Sequence, residues 1–502
     1  MRLALLLLWA VSLAAVPTDN PCASYELAWT SEIHWDNVLD ITTVDGQNWD
    51  AKIATGQEAL TEQGGGVLFF PAGEYVVRET ILLKSGIVLR GADPVEVTKA
   101  SDVAFAPGTI LQFPAYAPSF EGEGTANDTA FKGIHLEDVG TASNCGLVHL
   151  QLNHAHIEYG ETEDHQAGKN RLVVGCVVQN AAVPNDMVPA PFQNQWQRFT
   201  KRDHAALQAY CGENMLLANN RLPQADANFI MKDFKMYMDS RSKTNVLEHD
   251  TIFDYDFRPG IAANQFALSA EATPQNMPWG FRRGLVIRDN FIYGSGGPAI
   301  LFTGDGTICS FNVIRFKKKV ARETTVGIHR GDITNHVRAI EMRGHRWTVE
   351  GNHYIVYPNV GPIGPDGDGI MHIAESNTAV VDSKIINNTG NAYIGIWRVP
   401  INGLEIRGNK VATDSRHGAI SVLGATRRHE TIFSVKNVVI AENETINSGV
   451  MVVGDGENIT IRGNTYKGAK GKNMLWNFSG AETVVDNVGF KLHSRNLARS
   501  KK

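Results

Sequence analysis

Side chains suited to acid–base chemistry are concentrated in one stretch of the chain, residues 305–372. They are Asp305, Glu341, Arg343, His345 and His372. Two carboxylates on either side of a bond can act as acid and as base or nucleophile in its hydrolysis, so Asp305 and Glu341 form a candidate pair. Alternatively, His345, His372 or Arg343 could remove a proton next to a carboxylate or stabilise the negative charge that then develops. A simple surface ion pair between Glu341 and Arg343 is the competing interpretation.

Further side chains could bind an extended anionic ligand. Residues 315–338 carry seven basic and two acidic side chains, whereas the whole chain has a net charge of −6 at pH 7. A basic segment beside a cleft raises the local concentration of an anion, and aromatic rings offer flat apolar faces for stacking. The candidate binding residues are Lys317, Lys318, Arg338, Arg398, Trp279 and Trp397.

Two groups of residues have the ligand types of metal sites. Asp254 and Asp256 would share one face of a strand, where they could bind Ca²⁺ or act as acids. A second group has ligands that suit zinc or copper, but its spacing matches no known metal motif, and we interpret it as a ladder of structural contacts. Its members are His149, His154, His156 and Glu158.

The elements that must position these residues are indicated by a repeat. A short apolar phrase ending in Asn recurs at intervals of about 22 residues, or longer where insertions occur. The asparagines are Asn220, Asn290, Asn312, Asn352, Asn388, Asn409, Asn443, Asn464 and Asn487. Short strands and turns with this period, without helices, predict a parallel β-helix. We expect each Asn to adopt left-handed backbone angles at a corner and to hydrogen-bond to the same residue one coil away.

The strands between these phrases predict which side chains meet. Aligned residues such as Ile300, Ile340 and Ile370 should point inward and form ladders, so the alternate positions point outward. Coils are about 4.8 Å apart, which would bring Asp305, Glu341, Arg343 and His345 onto one outer surface. His372 falls in the inward set by this register, unless a turn at Met371 swings it outward.

A short helix precedes the repeats, and the segment after it resembles a known family. Residues 48–63 place Trp49, Ile53 and Leu60 near one helical face, suited to capping the first coil. The chain then reads Gly64-Gly65-Gly66-Val67-Leu68-Phe69-Phe70-Pro71-Ala72-Gly73-Glu74-Tyr75, followed by Lys84-Ser85-Gly86-Ile87-Val88-Leu89-Arg90-Gly91. This resembles the entry segment of the pectate-lyase-like superfamily, in the branch of rhamnogalacturonase, polygalacturonase-type and epimerase-like proteins. With the repeats, the resemblance covers residues 48–489.

The resemblance implies a right-handed parallel β-helix with a carbohydrate bound along one flank. The NTD, DD, GHG and RIK motifs of family polygalacturonases are not intact here, and the arginine or lysine base of the calcium-dependent lyases has no clear counterpart. The hypothesis is therefore a polysaccharide lyase acting on a uronate-containing glycan. The alternatives are a glycoside hydrolase that uses Asp305 and Glu341, and a non-catalytic carbohydrate-binding or surface protein.

These observations define the expected organisation of the 502-residue chain. Residues 1–17 resemble a secretory signal peptide, which predicts a secreted or periplasmic protein without membrane insertion. Residues 18–63 are expected to form an N-terminal segment with the capping helix. Residues 64–490 should form an all-β, single-stranded right-handed parallel β-helix, and residues 491–502 should form a basic solvated tail. The balanced charge argues against nucleic-acid binding. We expect a monomer whose five cysteines are small core residues rather than disulfides or zinc ligands.

Overall fold

The computed structural model describes most of the repeat region. The described residues are 16–94, 97–102, 104–114, 120–121, 125–126, 132–137, 141–159, 168–179, 207–210, 213–223, 228–231, 235–236, 247–248, 251–254, 261–264, 266–267, 280–281, 283–293, 299–315, 338–356, 368–373, 379–415, 417–425, 431–480 and 483–494. The predicted signal peptide lies outside them, apart from its last two residues.

The chain winds through three long sheets in turn, and each strand pairs in parallel with the corresponding strand of the next coil. One coil therefore contributes one strand to each sheet. This architecture is the predicted right-handed parallel β-helix. Its coils each have an apolar inner face that only stacking on neighbouring coils can bury.

In every sheet the strands follow the order of the chain along the axis of the solenoid. Sheet 1 contains Val38–Asp40, Gly66–Phe70, Ile87–Gly91, Cys145–Val148, Lys169–Val174, Glu213–Ala218, Leu285–Arg288, Ile308–Ser310, Thr348–Glu350, Val380–Ile386, Ile401–Arg407, Ser434–Ala441, Asp455–Arg462 and Thr483–Val485. Sheet 2 contains Gly73–Val76, Thr109–Gln112, Leu150–Asn153, Val177–Gln179, Arg221–Pro223, Phe291–Tyr293, Val313–Arg315, His353–Ile355, Thr389–Gly390, Lys410–Ala412, Glu444–Ile446 and Thr465–Lys467. Sheet 3 contains Ile81–Leu83, Gly133–Leu136, His156–Tyr159, Leu207–Tyr210, Ile261–Asn264, Ile300–Asp305, Arg338–His345, Asp368–Ile373, Tyr393–Trp397, Ile420–Leu423, Val450–Val453, Met474–Phe478 and Lys491–Ser494.

Shorter elements complete the described structure. Three 3₁₀ helices span Ala23–Tyr25, Ala28–Glu32 and Ile41–Thr43. Four antiparallel pairs lie outside the three sheets: Phe120–Glu121 with Thr125–Ala126, Asn228–Met231 with Thr251–Asp254, Lys235–Met236 with Leu247–Glu248, and Phe266–Ala267 with Gly280–Phe281.

The inward ladders lie where the alternation of apolar residues predicts them. In sheet 3, Ile300 pairs with Ile340, Ile340 with Ile370, and Ile370 with Ile394, and all four side chains are fully buried. Four of the cysteines are buried and form no disulfide, namely Cys22, Cys145, Cys176 and Cys309. They are core residues, as predicted, and Cys211 lies outside the described residues.

The predicted asparagine ladder is present along one corner of the solenoid. Each amide Nδ2 donates to the Oδ1 of the next asparagine at 2.8–3.0 Å, from Asn220 to Asn487. The backbone N–H of each ladder residue donates to the same Oδ1, as Asn312 does to Asn352 at 2.9 Å. The ladder thus satisfies polar groups that the corner would otherwise bury unpaired.

The left-handed backbone position at this corner differs from the predicted one. It is the residue before each ladder asparagine that has a positive φ, for example Phe311 at 56° and Gly351 at 63°. The ladder asparagine itself has no positive φ and uses its side chain to bridge the coils. The prediction that the ladder residue supplies the left-handed turn was therefore wrong.

The first coils are closed by the predicted helix and by the segment before it. The helix Trp49–Glu62 begins at Asn48, whose Oδ1 accepts from the Ala51 N–H at 2.8 Å, and its residues Ile53 and Leu60 join the core. The preceding segment packs its apolar side chains, including Trp29 and Trp35, on the outer face of sheet 1. No helix among the described residues has both the length and the apolar character needed to cross a membrane.

At the other end, the solenoid continues past its predicted limit at residue 490. The strand Lys491–Ser494 pairs in parallel with Met474–Phe478 and is the last strand of sheet 3. Its four residues are exposed, and the remainder of the basic tail lies outside the described residues.

Candidate active site

The outer face of sheet 3 brings together four of the five residues predicted to be catalytic. Strands Ile300–Asp305 and Arg338–His345 pair in register, with Thr303 opposite Arg343 and Asp305 opposite His345. Because Ile300 and Ile340 point inward, Asp305, Glu341, Arg343 and His345 belong to the outward set.

Glu341 lies between two arginines and is almost entirely buried. Its Oε2 accepts from Arg338 Nη1 at 2.5 Å and its Oε1 accepts from Arg343 Nη2 at 3.0 Å. The side chains of Glu341, Arg338 and Arg343 are 3%, 6% and 27% exposed. The pairing of Glu341 with Arg343 is therefore real but is not a solvated surface contact. Arg338, predicted to bind substrate, is buried against Glu341 and does not present its charge to a polymer.

Asp305, at the end of the adjacent strand Ile300–Asp305, also pairs with two arginines. Its Oδ2 accepts from Arg283 Nε at 3.0 Å and from Arg346 Nη2. Asp305 is buried, whereas Arg283 and Arg346 are largely accessible. Sequence reasoning missed both arginines. Arg346 comes directly after the strand Arg338–His345 and has a positive φ of 52°. Arg283 lies just before the sheet 1 strand Leu285–Arg288, and its backbone forms an isolated β-bridge with Asp305.

The two carboxylates are separated along the strand. Glu341 is in register with Leu301, four residues before Asp305. At about 3.3 Å per residue and 4.8 Å between strands, the two Cα atoms are about 14 Å apart. Their carboxyl groups cannot approach to the roughly 5–5.5 Å of a retaining glycosidase.

The two candidate histidines lie on opposite faces of sheet 3. His345 is partly exposed, and burial lowers its pKa, with Arg346 acting in the same direction and Asp305 opposing. An imidazole with a lowered pKa is neutral at pH 7 and can accept a proton. His372 is fully buried and stacks on Trp347 at 6.4 Å, and burial lowers its pKa to about 3. Because a polymer cannot reach the interior, His372 is removed from the catalytic candidates, and the inward register is the correct one.

An aromatic group lies two coils beyond Arg343 on the same face. Arg343 is the register partner of Thr303 on the preceding coil, and both point outward. The same register, continued over two more coils, leads from Arg343 to Trp397 on strand Tyr393–Trp397. The Trp397 ring stacks on Tyr393 at 5.7 Å and contacts His417 edge-on at 5.1 Å. Arg398 follows at a positive φ of 60°, with its N–H bonded to the Leu423 carbonyl.

Several predicted residues have no described side chain. Trp279, Lys317, Lys318 and Asp256 lie outside the described residues. Asp254 ends the strand Thr251–Asp254, which pairs with Asn228–Met231 away from the three main sheets. The calcium site suggested by Asp254 and Asp256 therefore stays a prediction.

The predicted histidine ladder is divided between two places. His149 Nδ1 contacts Asp93 Oδ1 at 2.7 Å, whereas His156 lies beside His135 of the preceding coil, with the two Nε2 atoms 3.0 Å apart. Burial and His156 lower the pKa of His135 to about 4, against the opposing effect of Glu158. Sequence reasoning missed His135, because only the coil register places it opposite Glu158.

Comparisons with known proteins give general resemblances only. No family model and no curated protein matches the chain. Among solved structures, the catalytic unit of a GH87 α-1,3-glucanase from Streptomyces thermodiastaticus is 12% identical with a TM-score of 0.39, over 92% of this chain and 69% of that one. The A-module of mannuronan C-5 epimerase AlgE6 from Azotobacter vinelandii is 10% identical with a TM-score of 0.35, over 91% and 95% of the chains.

A third solved structure is a surface adhesin. PfbA of Streptococcus pneumoniae is 13% identical with a TM-score of 0.38, over 92% of this chain and 91% of that one. These neighbours include enzymes that act on carbohydrates as well as an adhesin, and at such similarity nothing about the chemistry of this chain follows from them. The winding that the pectate-lyase-like resemblance implied is established by the strand order of the chain itself.

Proposed function

We propose that this protein is a polysaccharide lyase that cleaves a uronate-containing glycan by β-elimination on the outer face of sheet 3. The observation that carries the proposal is the charge around His345. Arg283, Arg343 and Arg346 each contact Asp305 or Glu341 and are 27–75% exposed, so three guanidinium groups lie at the surface near the neutral imidazole of His345. Such a surface attracts an acidic polymer and stabilises negative charge that develops during a reaction.

Substrate binding and proton abstraction in this elimination each have candidate side chains. The carboxylate of the bound uronate would lie against Arg343 and Arg346, the accessible cations beside His345. His345 would take the proton from the carbon next to that carboxylate, and the electron pair would move into the carboxylate as an enolate-like intermediate. As the pair returns to form the carbon–carbon double bond, the glycosidic carbon–oxygen bond breaks, and the departing oxygen takes a proton from water.

Asp305 and Glu341 have a positioning role in this scheme. Each carboxylate holds two arginines by charge-assisted hydrogen bonds. These bonds fix the guanidinium groups of Arg283, Arg343 and Arg346 at the surface, while Arg338 stays buried beside Glu341. The separation of about 14 Å between their Cα atoms disfavours the alternative of a hydrolase that uses them as a close pair. Trp397, about 10 Å from Arg343 at two coil spacings, would stack on a sugar ring further along the polymer.

The proposal is tested with purified protein and a panel of pectic, alginate and sulfated glycans. Elimination produces a conjugated uronide that absorbs in the ultraviolet, hydrolysis produces reducing ends without that absorbance, and a non-catalytic protein binds without products. We expect His345→Ala to reduce kcat/KM by about 10²–10⁴-fold. Arg343→Gln and Arg346→Gln should each reduce it by about 10²-fold or more.

A matched control is available on a different sheet. His353 is also a partly exposed histidine whose pKa is lowered by burial, but it lies in sheet 2 beside Arg315. His353→Ala should leave kcat/KM unchanged within about twofold. Equal losses in both histidine variants, or reducing ends without ultraviolet absorbance, would refute the proposal. Assays with EDTA and then with added Ca²⁺ test the calcium requirement suggested by Asp254 and Asp256.

A further inference from the structure

A second group of polar side chains lies on the outer face of sheet 3, near the N-terminal end of the solenoid. His135 is on strand Gly133–Leu136, and His156 and Glu158 are on the adjacent parallel strand His156–Tyr159. Glu158 is directly opposite His135, and His156 is two residues earlier on the same strand, so all three side chains share one face.

The three potential ligand atoms converge on one point. His135 Nε2 and His156 Nε2 are 3.0 Å apart, and Glu158 Oε2 is 3.3 Å from His156 Nε2 and 3.7 Å from His135 Nε2. A tetrahedral zinc ion with bonds of about 2.0–2.1 Å holds its ligands about 3.3–3.4 Å from one another. The mean of the three measured separations is about 3.3 Å, which is the edge of that tetrahedron.

We propose that His135, His156 and Glu158 bind a transition-metal ion, with Zn²⁺ the best fit, and leave its fourth coordination position to water. Two imidazoles and one carboxylate suit zinc and its neighbours, whereas Ca²⁺ and Mg²⁺ prefer six or more oxygen ligands. The side chains are 12–32% exposed, so an ion can enter while most of its surroundings are protein.

This metal site is separate from the candidate active site and does not depend on the proposed function. Register along sheet 3 runs from Glu158 through Gln208, Ala262 and Leu301 to Glu341. Four coil spacings of about 4.8 Å place the two sites roughly 19 Å apart on the same face. A bound ion would link two adjacent coils and so stabilise this end of the solenoid.

The test uses tag-free full-length protein that has been dialysed against a chelator. Titration calorimetry with ZnCl₂ should show one tight equivalent per chain, and excess Ca²⁺ or Mg²⁺ should not displace it. Co²⁺ in place of Zn²⁺ should give the visible absorption bands of four-coordinate cobalt. Zinc should also raise the melting temperature of the wild-type protein.

Variants separate this site from adventitious binding. His135→Ala, His156→Ala and the isosteric Glu158→Gln should each weaken zinc binding by about 100-fold or more, since even the loss of an outer-shell partner commonly costs 10–100-fold. The control is His149→Asn, which removes an imidazole that contacts Asp93 and is not a member of the His135, His156 and Glu158 group, so it should leave the zinc affinity unchanged. Less than one equivalent in the wild type, or equal affinity in Glu158→Gln and wild type, would overturn the proposal. Circular dichroism confirms that each variant is folded.

Discussion

Replacement of Glu341 by Gln should destabilise the protein far more than the loss of a surface charge would. The substitution keeps the shape of the side chain and removes only its negative charge. Glu341 and Arg338 are 3% and 6% exposed, so neither can turn to water for compensation. The buried guanidinium of Arg338 would then lose the counter-charge of Glu341.

The expected cost follows from this burial. Breaking a buried ion pair by removing one partner costs about 3–5 kcal/mol of unfolding free energy. Arg343 adds little to that figure, because its side chain is 27% exposed and solvent screens its charge. The control is Glu405→Gln on sheet 1, which breaks the more exposed pair of Glu405 with Arg407 and should cost less than about 1 kcal/mol.

Urea denaturation of both variants, followed by circular dichroism, gives the two changes in unfolding free energy. If Glu341→Gln costs no more than Glu405→Gln, then the buried network does not hold the strand, and the positioning role of Glu341 fails with it. A double variant, Arg338→Met with Glu341→Leu, should recover part of the lost stability because it removes both charges of the buried Arg338–Glu341 pair.

Three further predictions concern the scaffold. Asn352→Ala removes four side-chain hydrogen bonds of the ladder and leaves buried polar groups unpaired, so it should lower the unfolding free energy by about 3 kcal/mol or more. Asn402→Ala removes an exposed asparagine contact and should lower it by about 0.5 kcal/mol or less in the same urea assay. The pKa of His372 is about 3 in the folded state and about 6.5 when unfolded, so the unfolded chain binds the proton more readily between these values. The unfolding free energy should therefore fall as pH decreases from 6.5 towards 3. Between pH 7 and 4.5, His372→Leu should lose about 2 kcal/mol less unfolding free energy than the wild type, and an equal loss in both proteins would contradict this. The Cβ of Gly463→Ala would lie 3.7 Å from Glu442 Cγ, an ordinary contact, so this variant should cost about 1–2 kcal/mol of unfolding free energy for its positive φ alone. The Cβ of Gly351→Ala would lie 2.6 Å from the Phe311 ring, so this variant should lower the melting temperature further than Gly463→Ala does.

The ladder shows what kind of inference the sequence supports. The asparagines recur with the period of one coil, so their alignment follows from winding alone, and all nine positions join one chain of hydrogen bonds. The left-handed residue was misplaced by one position, because Asn favours that conformation in general, whereas here its side chain is needed for the bridge between coils. At the preceding position the chain accepts Gly351 and even Phe311.

The candidate site shows where inference from the sequence stops. Alternation along strand Arg338–His345 predicted which of its side chains point outward, and the register with Asp305 followed from aligning the isoleucines. The partners of the two carboxylates did not follow, since Arg283 comes from just before a strand of sheet 1, and Arg346 comes from a turn.

The sequence alone therefore determined the winding, the inward columns, the asparagine ladder and the face on which the charged residues meet. These features depend on periods of two residues and of one coil, which local chain geometry imposes. The tertiary structure decided which arginine neutralises which carboxylate, that His372 is enclosed beside Trp347, and that His135 meets His156. Those contacts depend on the positions of side chains from turns and neighbouring coils. Insertions of variable length separate the repeats, so these positions cannot be predicted from a fixed period in the sequence.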